Sequence, residues 1–181
     1  GEDALVDLKK FTLEGRKMKS VRNAISRVEK EGYTFELIKP PFSESFFEEL
    51  KAVSDEWLDG RHEKGFYIGF FDKEYLSKQP IAIVRNKDNE IKGFSNLMPM
   101  YDNETLSVDL MRFKKIELNG LMDYMFANIF EYCKENGYKY FQKEKRYYKE
   151  NTNVLQKNII QGKEIFDSEC KDSTIVLQNY K

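Results

Sequence analysis

The stretch from Ile81 to Met111 constrains the fold more than any other part of this sequence. Ile81-Ala82-Ile83-Val84-Arg85 is apolar and β-branched, Asn86 to Glu90 is polar, and Ile91 to Met98 is β-rich again. Pro99 to Asn103 interrupts the pattern, and Thr105 to about Met111 resumes it. Runs of this length between Asn, Asp, Gly and Pro read as strands. The gaps are too short for a crossover, so each strand must turn straight back on the one before. The segment therefore predicts a three-stranded antiparallel meander, and the remaining elements have to cover its faces.

Those elements are legible on both sides. Val6, Leu8 and Phe11 make a short alternating start. A helix is predicted from the Gly15 to Ser20 segment to about Glu31, because Val21, Ala24, Ile25 and Val28 have one-face spacing and Gly32 suits a helix end. Tyr33 to Ile38 reads as a strand stopped by Pro40-Pro41. Ser43 is a candidate N-cap for a second helix with a buried stripe of Phe46, Phe47, Leu50, Val53, Trp57 and Leu58, ended by Gly60. Arg61 to Asp72 reads as a loop, followed by a short helix over Lys73 to Ser77. After the meander, a long helix from about Asn119 to Asn136 turns Leu121, Met122, Met125, Phe126, Ile129, Phe130 and Cys133 inward. Gly137 closes it, and Tyr138 to Phe141 reads as a last strand. From Gln142 onward the composition shifts to Lys, Asn, Gln, Tyr and Ile. A charged helix over Lys143 to Lys149 and a strand at Thr174 to Leu177 are expected there.

Composition narrows the function classes. The 181 residues carry a net charge of −1, so any attraction to phosphate-rich partners must come from a local patch. His62 is the sole histidine, which excludes a multi-histidine metal site, and Cys133 and Cys170 match no zinc or redox spacing. No cofactor is called for. No apolar run approaches the roughly 20 residues needed to span a bilayer. The chain opens at Gly1-Glu2-Asp3 and enters an apolar segment almost at once, which gives the expectation of a piece cut from a longer protein.

Several motifs, all in one order, carry a family resemblance. They are Val6-Asp7-Leu8 with Phe11-Thr12-Leu13, Lys19 to Ala24, Glu29 to Phe35, and Ser54-Asp55-Glu56-Trp57-Leu58. Further on come Glu63-Lys64-Gly65-Phe66, Asn96-Leu97-Met98-Pro99, Ser107 to Arg112, and Asn119 to Asp123. Together they resemble the bacterial phosphatidylglycerol lysyltransferases, in the second GNAT-like half of the catalytic region. The resemblance implies an α/β (α+β) fold of the GNAT acyltransferase type, with a mostly antiparallel central sheet flanked by helices. It also implies aminoacyl (lysyl) transfer from aminoacyl-tRNA to phosphatidylglycerol at the cytoplasmic face of the bacterial membrane. The first GNAT-like half and the membrane region of the parent would then be missing partners. This chain alone is expected to be soluble, an incomplete fragment of the catalytic region, and open to self-association. Residues 1–141 are assigned to the half-domain and 142–181 to a divergent C-terminal segment. In that segment Gln142-Lys143-Glu144-Lys145-Arg146 stands where the family has Asn-Leu-Gly-Met-Ala-Pro-Leu.

The resemblance makes Asp109 and Arg112 the leading catalytic pair. A carboxylate can orient a hydroxyl or an ammonium group, and a guanidinium offers a planar fork to phosphate. Three residues apart on a regular strand means opposite faces, so one shared site requires the pleat to break between them. Removing the Arg112 side chain is then expected to cut transfer and leave stability nearly unchanged. Candidate substrate contacts are Arg61, Glu63, Lys64 and Phe66 in the charged loop, Asn96 on the second meander strand, and Arg22 on the basic helix face. Each also has a plain structural reading, as solvated loop, helix surface or strand terminus. Two rival functions stay open. One is a non-catalytic tRNA- or lipid-binding, or inert, GNAT-like module. The other is an acetyl-CoA-dependent acetyltransferase, which normally has a glycine-rich turn before the long helix; Lys114 to Gly120 holds a single glycine.

Overall fold

The computed structural model describes residues 3–61, 63, 70–115 and 118–144. Its elements run β1 (Asp3–Asp7), α1 (Lys19–Lys30), β2 (Thr34–Ile38), α2 (Glu44–Leu58), α3 (Lys73–Leu76) and β3 (Ile81–Arg85). They continue with β4 (Ile91–Pro99), β5 (Thr105–Phe113), α4 (Leu121–Glu135) and β6 (Tyr140–Glu144). The strands are ordered β1-β6-β5-β4-β3-β2. Two compact units divide the chain. The first comprises Gly1–Arg27, Pro99–Ser107 and Gly120–Lys181, the second Val28–Met98 and Val108–Asn119.

In the first unit β1 pairs antiparallel with β6, Val6 opposite Phe141, and β6 pairs in parallel with the start of β5, Thr105 opposite Tyr140. A parallel neighbour cannot be reached by a tight turn, and α4 supplies the crossover between β5 and β6. This helix buries Leu121, Tyr124, Met125, Phe126, Ile129, Phe130 and Cys133. Four aromatic rings lock together there. Phe11 meets Phe130 at 4.8 Å, Phe130 meets Phe141 at 4.9 Å and Phe126 meets Phe141 at 5.9 Å, all edge-on. Burial also pushes the Cys133 thiol up to about 12, which suits an inert core thiol. Gly120 precedes α4 at a φ of 104°, and a Cβ there would lie 2.7 Å from the Ala24 Cβ. Its bare backbone is needed for contact with α1.

In the second unit β2, β3 and β4 form an antiparallel ladder, with Ile38 opposite Ile81 and Ile81 opposite Asn96. Both faces of β3 are covered, since Ile81, Ala82, Ile83 and Val84 are all inaccessible to solvent. The core consists of Phe46, Phe47, Leu50 and Val53 from α2, Leu76 from α3, and Ile81, Ile83, Ile91, Phe94 and Leu110 from the strands. Each such side chain contributes about 1.5–3 kcal/mol by leaving water. Ser43 caps α2 as its sequence predicts, its Oγ accepting from the Phe46 N–H at 3.2 Å. Ser43→Ala should lower stability by about 1 kcal/mol, read as a small Tm decrease, and an unchanged Tm would show that water replaces the cap.

Two expectations are corrected. Trp57 was placed in the buried stripe of α2, yet it is 37% exposed, at the end of the helix. Lys143 and Glu144, assigned to a charged helix, extend β6 instead. The Lys143 Nζ lies 4.3 Å from the Phe126 ring centre, so its apolar stem and charge both find a place against the core. The rest of that helix, the strand at Thr174 to Leu177, and Cys170 lie outside the described residues.

Candidate functional site

Strand β5 carries both leading residues. From Leu106 to Phe113 its burial alternates without interruption, so Arg112 falls in step with the buried Val108 and Leu110, and Asp109 with the partly exposed Met111 and Phe113. By burial, Asp109 and Arg112 therefore face opposite sides of β5. The strand is nevertheless irregular in its register. Met100 N–H donates to the Thr105 carbonyl and Lys114 N–H to the Lys92 carbonyl. From 92 to 100 is eight steps and from 105 to 114 is nine, so β5 holds one extra residue against β4.

Arg112 is 2% exposed. Its guanidinium donates to the Ser54 hydroxyl of α2 and to the Glu63 carboxylate, and lies 5.0 Å from the Trp57 ring centre. An α2 residue of small size is needed at 54 to admit that head group. Glu63 in turn accepts from the Phe71 N–H with both oxygens at 3.1 Å. One residue on, Asp72 caps α3 by accepting from the Tyr75 N–H. The Tyr75 hydroxyl donates to Asp109 Oδ2 at 2.7 Å. Arg112 and Asp109 are thus tied, through Glu63 and Tyr75, to the two ends of one segment, Phe71 to Tyr75.

Asn96 on β4 completes this arrangement. It is 1% exposed, and its Oδ1 accepts the Leu110 N–H at 2.7 Å, in place of a ladder carbonyl. Tyr75 is pushed up to about 12, first by burial, then by its hydrogen bond to Asp109 and by that residue's charge. At neutral pH the phenol is therefore protonated and acts as a donor, not a base.

Four of the eight expected site residues meet in the second unit: Asp109, Arg112, Glu63 and Asn96. Arg112 corrects the reading of its role, since its fork is engaged inside the protein. Arg61 is exposed and caps the end of α2, donating to the Leu58 carbonyl at 2.9 Å and the Trp57 carbonyl at 3.0 Å, with its guanidinium 5.5 Å from the Trp57 ring. Arg22, in the first unit, donates to the carbonyls of Leu13 and Gly15 and so pins the loop before α1. Lys64, Phe66 and His62 lie outside the described residues. Sequence reasoning missed Tyr75 and Ser54. The hints were a tyrosine in the short helix after the charged loop and a serine that opens the Ser54 to Leu58 motif.

Comparison with known proteins identifies the family. The family model for the C-terminal region of phosphatidylglycerol lysyltransferase matches residues 1–153. A phosphatidylglycerol lysyltransferase of Bacillus subtilis is 51% identical over 137 residues, which is 76% of this chain and 16% of that protein. The structure of L-PGS from Bacillus licheniformis superposes with a TM-score of 0.76 at 44% identity, over 87% of this chain and 51% of that one. The C-terminal domain of a putative lysylphosphatidylglycerol synthetase from Agrobacterium fabrum gives 0.71 at 34% identity, over 92% and 52%. The fold is the GNAT-like one expected, and the chain spans only about a sixth of the length of its curated relative. Among the described residues no helix is long and apolar enough to cross a membrane. With a family model matching residues 1–153 and a relative 51% identical over 76% of its length, the chain belongs to the phosphatidylglycerol lysyltransferase family, within its C-terminal region.

Proposed function

We propose that this chain is part of an aminoacyltransferase that moves a lysyl group from aminoacyl-tRNA to phosphatidylglycerol. The observation that carries the reading is Asp109, a carboxylate on a partly exposed strand position, held by a partly buried phenol within a family of that name. In the proposed step a glycerol hydroxyl of the lipid attacks the ester carbonyl carbon. The C–O bond to the tRNA ribose breaks, and the proton lost by the glycerol oxygen ends on the ribose oxygen. The ester is already activated, so positioning and charge suffice without a covalent enzyme intermediate. Asp109 orients the attacking hydroxyl or the lysyl ammonium group. Arg112 contributes from beneath, fixing Glu63 and through it the Phe71 backbone. Arg61, Lys64, Phe66 and Arg22 are proposed contacts to the tRNA end or the lipid headgroup. The missing GNAT-like half and membrane region supply the rest of the site, and work occurs at the cytoplasmic membrane face. The C-terminal segment after residue 141 is proposed to diverge from the family.

Lysyl transfer from charged tRNA to phosphatidylglycerol tests this in the full-length protein. Asp109→Asn should reduce product formation by about 100-fold or more, with Tm nearly unchanged, and undiminished transfer would remove Asp109 from the reaction. Glycine content argues against acetyl-CoA as donor, because Gly120 is occupied in packing on Ala24.

A further inference from the structure

Tyr75 has two parts that do different work. Its ring packs against the core cluster of the second unit beside Leu76 and Phe94, while its hydroxyl reaches Asp109. The direction of that hydrogen bond is set by Asp109, since a carboxylate only accepts. Because Asn96 Oδ1 takes the Leu110 N–H, the orientation of the carboxamide is fixed and its Nδ2 must be the other end. That Nδ2 is buried and finds no fully formed hydrogen bond among the described residues. The phenol hydrogen goes to Asp109 Oδ2, which accepts it at 2.7 Å. The Met98 sulfur, 3.7 Å away, is a weaker acceptor beside it.

We infer that Tyr75 is a positioning residue for the transfer, holding the Asp109 carboxylate in its working orientation. The inference rests on the proposed use of Asp109 and adds to it the residue through which that carboxylate is aimed. Such a role suits a protonated phenol. It need neither gain nor lose a proton during turnover, and a carboxylate with a fixed donor loses the torsional freedom that would let it swing away from the reacting hydroxyl.

Tyr75→Phe in the full-length protein separates this from a structural role, since the ring and its packing stay and one hydroxyl goes. The expected result is a fall in kcat of about 10- to 100-fold, with KM for both substrates within about twofold and a Tm shift below about 5 °C. In the Asp109→Asn background the same change should add nothing, because there is no longer a carboxylate to aim. Unchanged kcat in Tyr75→Phe, while Asp109→Asn abolishes transfer, would overturn the inference and leave the proposed function standing. An additive loss in the double variant, or a change confined to KM, would equally overturn it. Full transfer by Asp109→Asn would instead strike at the proposed role of Asp109, and Tyr75 would lose its purpose with it.

Discussion

Leu110→Asp is expected to abolish cooperative folding of this chain. Leu110 is 3% exposed and belongs to the core cluster of the second unit with Phe46, Phe47, Leu50, Val53 and Phe94. Removing its side chain alone forfeits burial and leaves a cavity, about 2–5 kcal/mol for a change to alanine. The aspartate adds a carboxylate with no cationic side chain in that cluster. It must then either stay ionised at a cost of several kcal/mol or take up a proton and remain under-bonded. Domains of this size are stable by only about 5–15 kcal/mol, so the two effects together approach the whole margin. Far-UV circular dichroism on heating should show no sharp transition, whereas Leu110→Ala should melt cooperatively at a reduced Tm. A cooperative melt of Leu110→Asp near the parental Tm would mean that this face of β5 meets water.

Where the sequence was readable, a local rule and the tertiary packing agreed. Strand β3 occupies the predicted Ile81 to Arg85, because a run of apolar β-branched residues satisfies both strand propensity and a sheet covered on both faces. Ser43, Gly32 and Gly137 were readable for similar reasons, each set by the geometry of its own helix end, and both glycines adopt positive φ. Trp57 was misread because the period of a helix says which residues align, not where the cover stops. At the last turn of α2 its partners are the guanidinium groups of Arg61 and Arg112. Lys143 was misread because charge at one position looks like surface until a ring such as Phe126 is known to lie under it.

The candidate site was legible only as a list. Asp109, Glu63, Asn96 and Arg112 could be singled out by their resemblance to family motifs, but their connections depend on the β4–β5 register and on where α3 starts. Asn96 shows the difficulty. Its use as a substitute for a backbone acceptor follows from a one-residue offset between two strands, which no single strand's sequence reveals. Tyr75 was invisible for the same reason, since its meaning lies 34 positions away at Asp109.

Arg112→Ala is expected to lower both stability and transfer, contrary to what its position beside Asp109 in sequence suggested. The guanidinium is buried against Ser54, Glu63 and Trp57, and its deletion leaves the Glu63 carboxylate and the Ser54 hydroxyl without the donor they face. Breaking a buried pair from one side costs about 3–5 kcal/mol. Glu63 keeps 26% of its side-chain exposure, so water recovers part of this and a figure near 3 kcal/mol is expected. For a chain of this length that is a Tm decrease of about 6–12 °C. Arg112→Lys should recover little, because one ammonium cannot reproduce a planar fork that serves two acceptors and stacks on an indole. The informative variant removes both charges, Arg112→Met with Glu63→Leu. Apolar replacement of a buried pair is often close to neutral, so its Tm should return most of the way while transfer stays low, the Phe71 backbone having lost its carboxylate anchor. Recovery of transfer along with Tm would show that the pair serves stability alone. A Tm unmoved by Arg112→Ala would show that the guanidinium is not held in this burial at all.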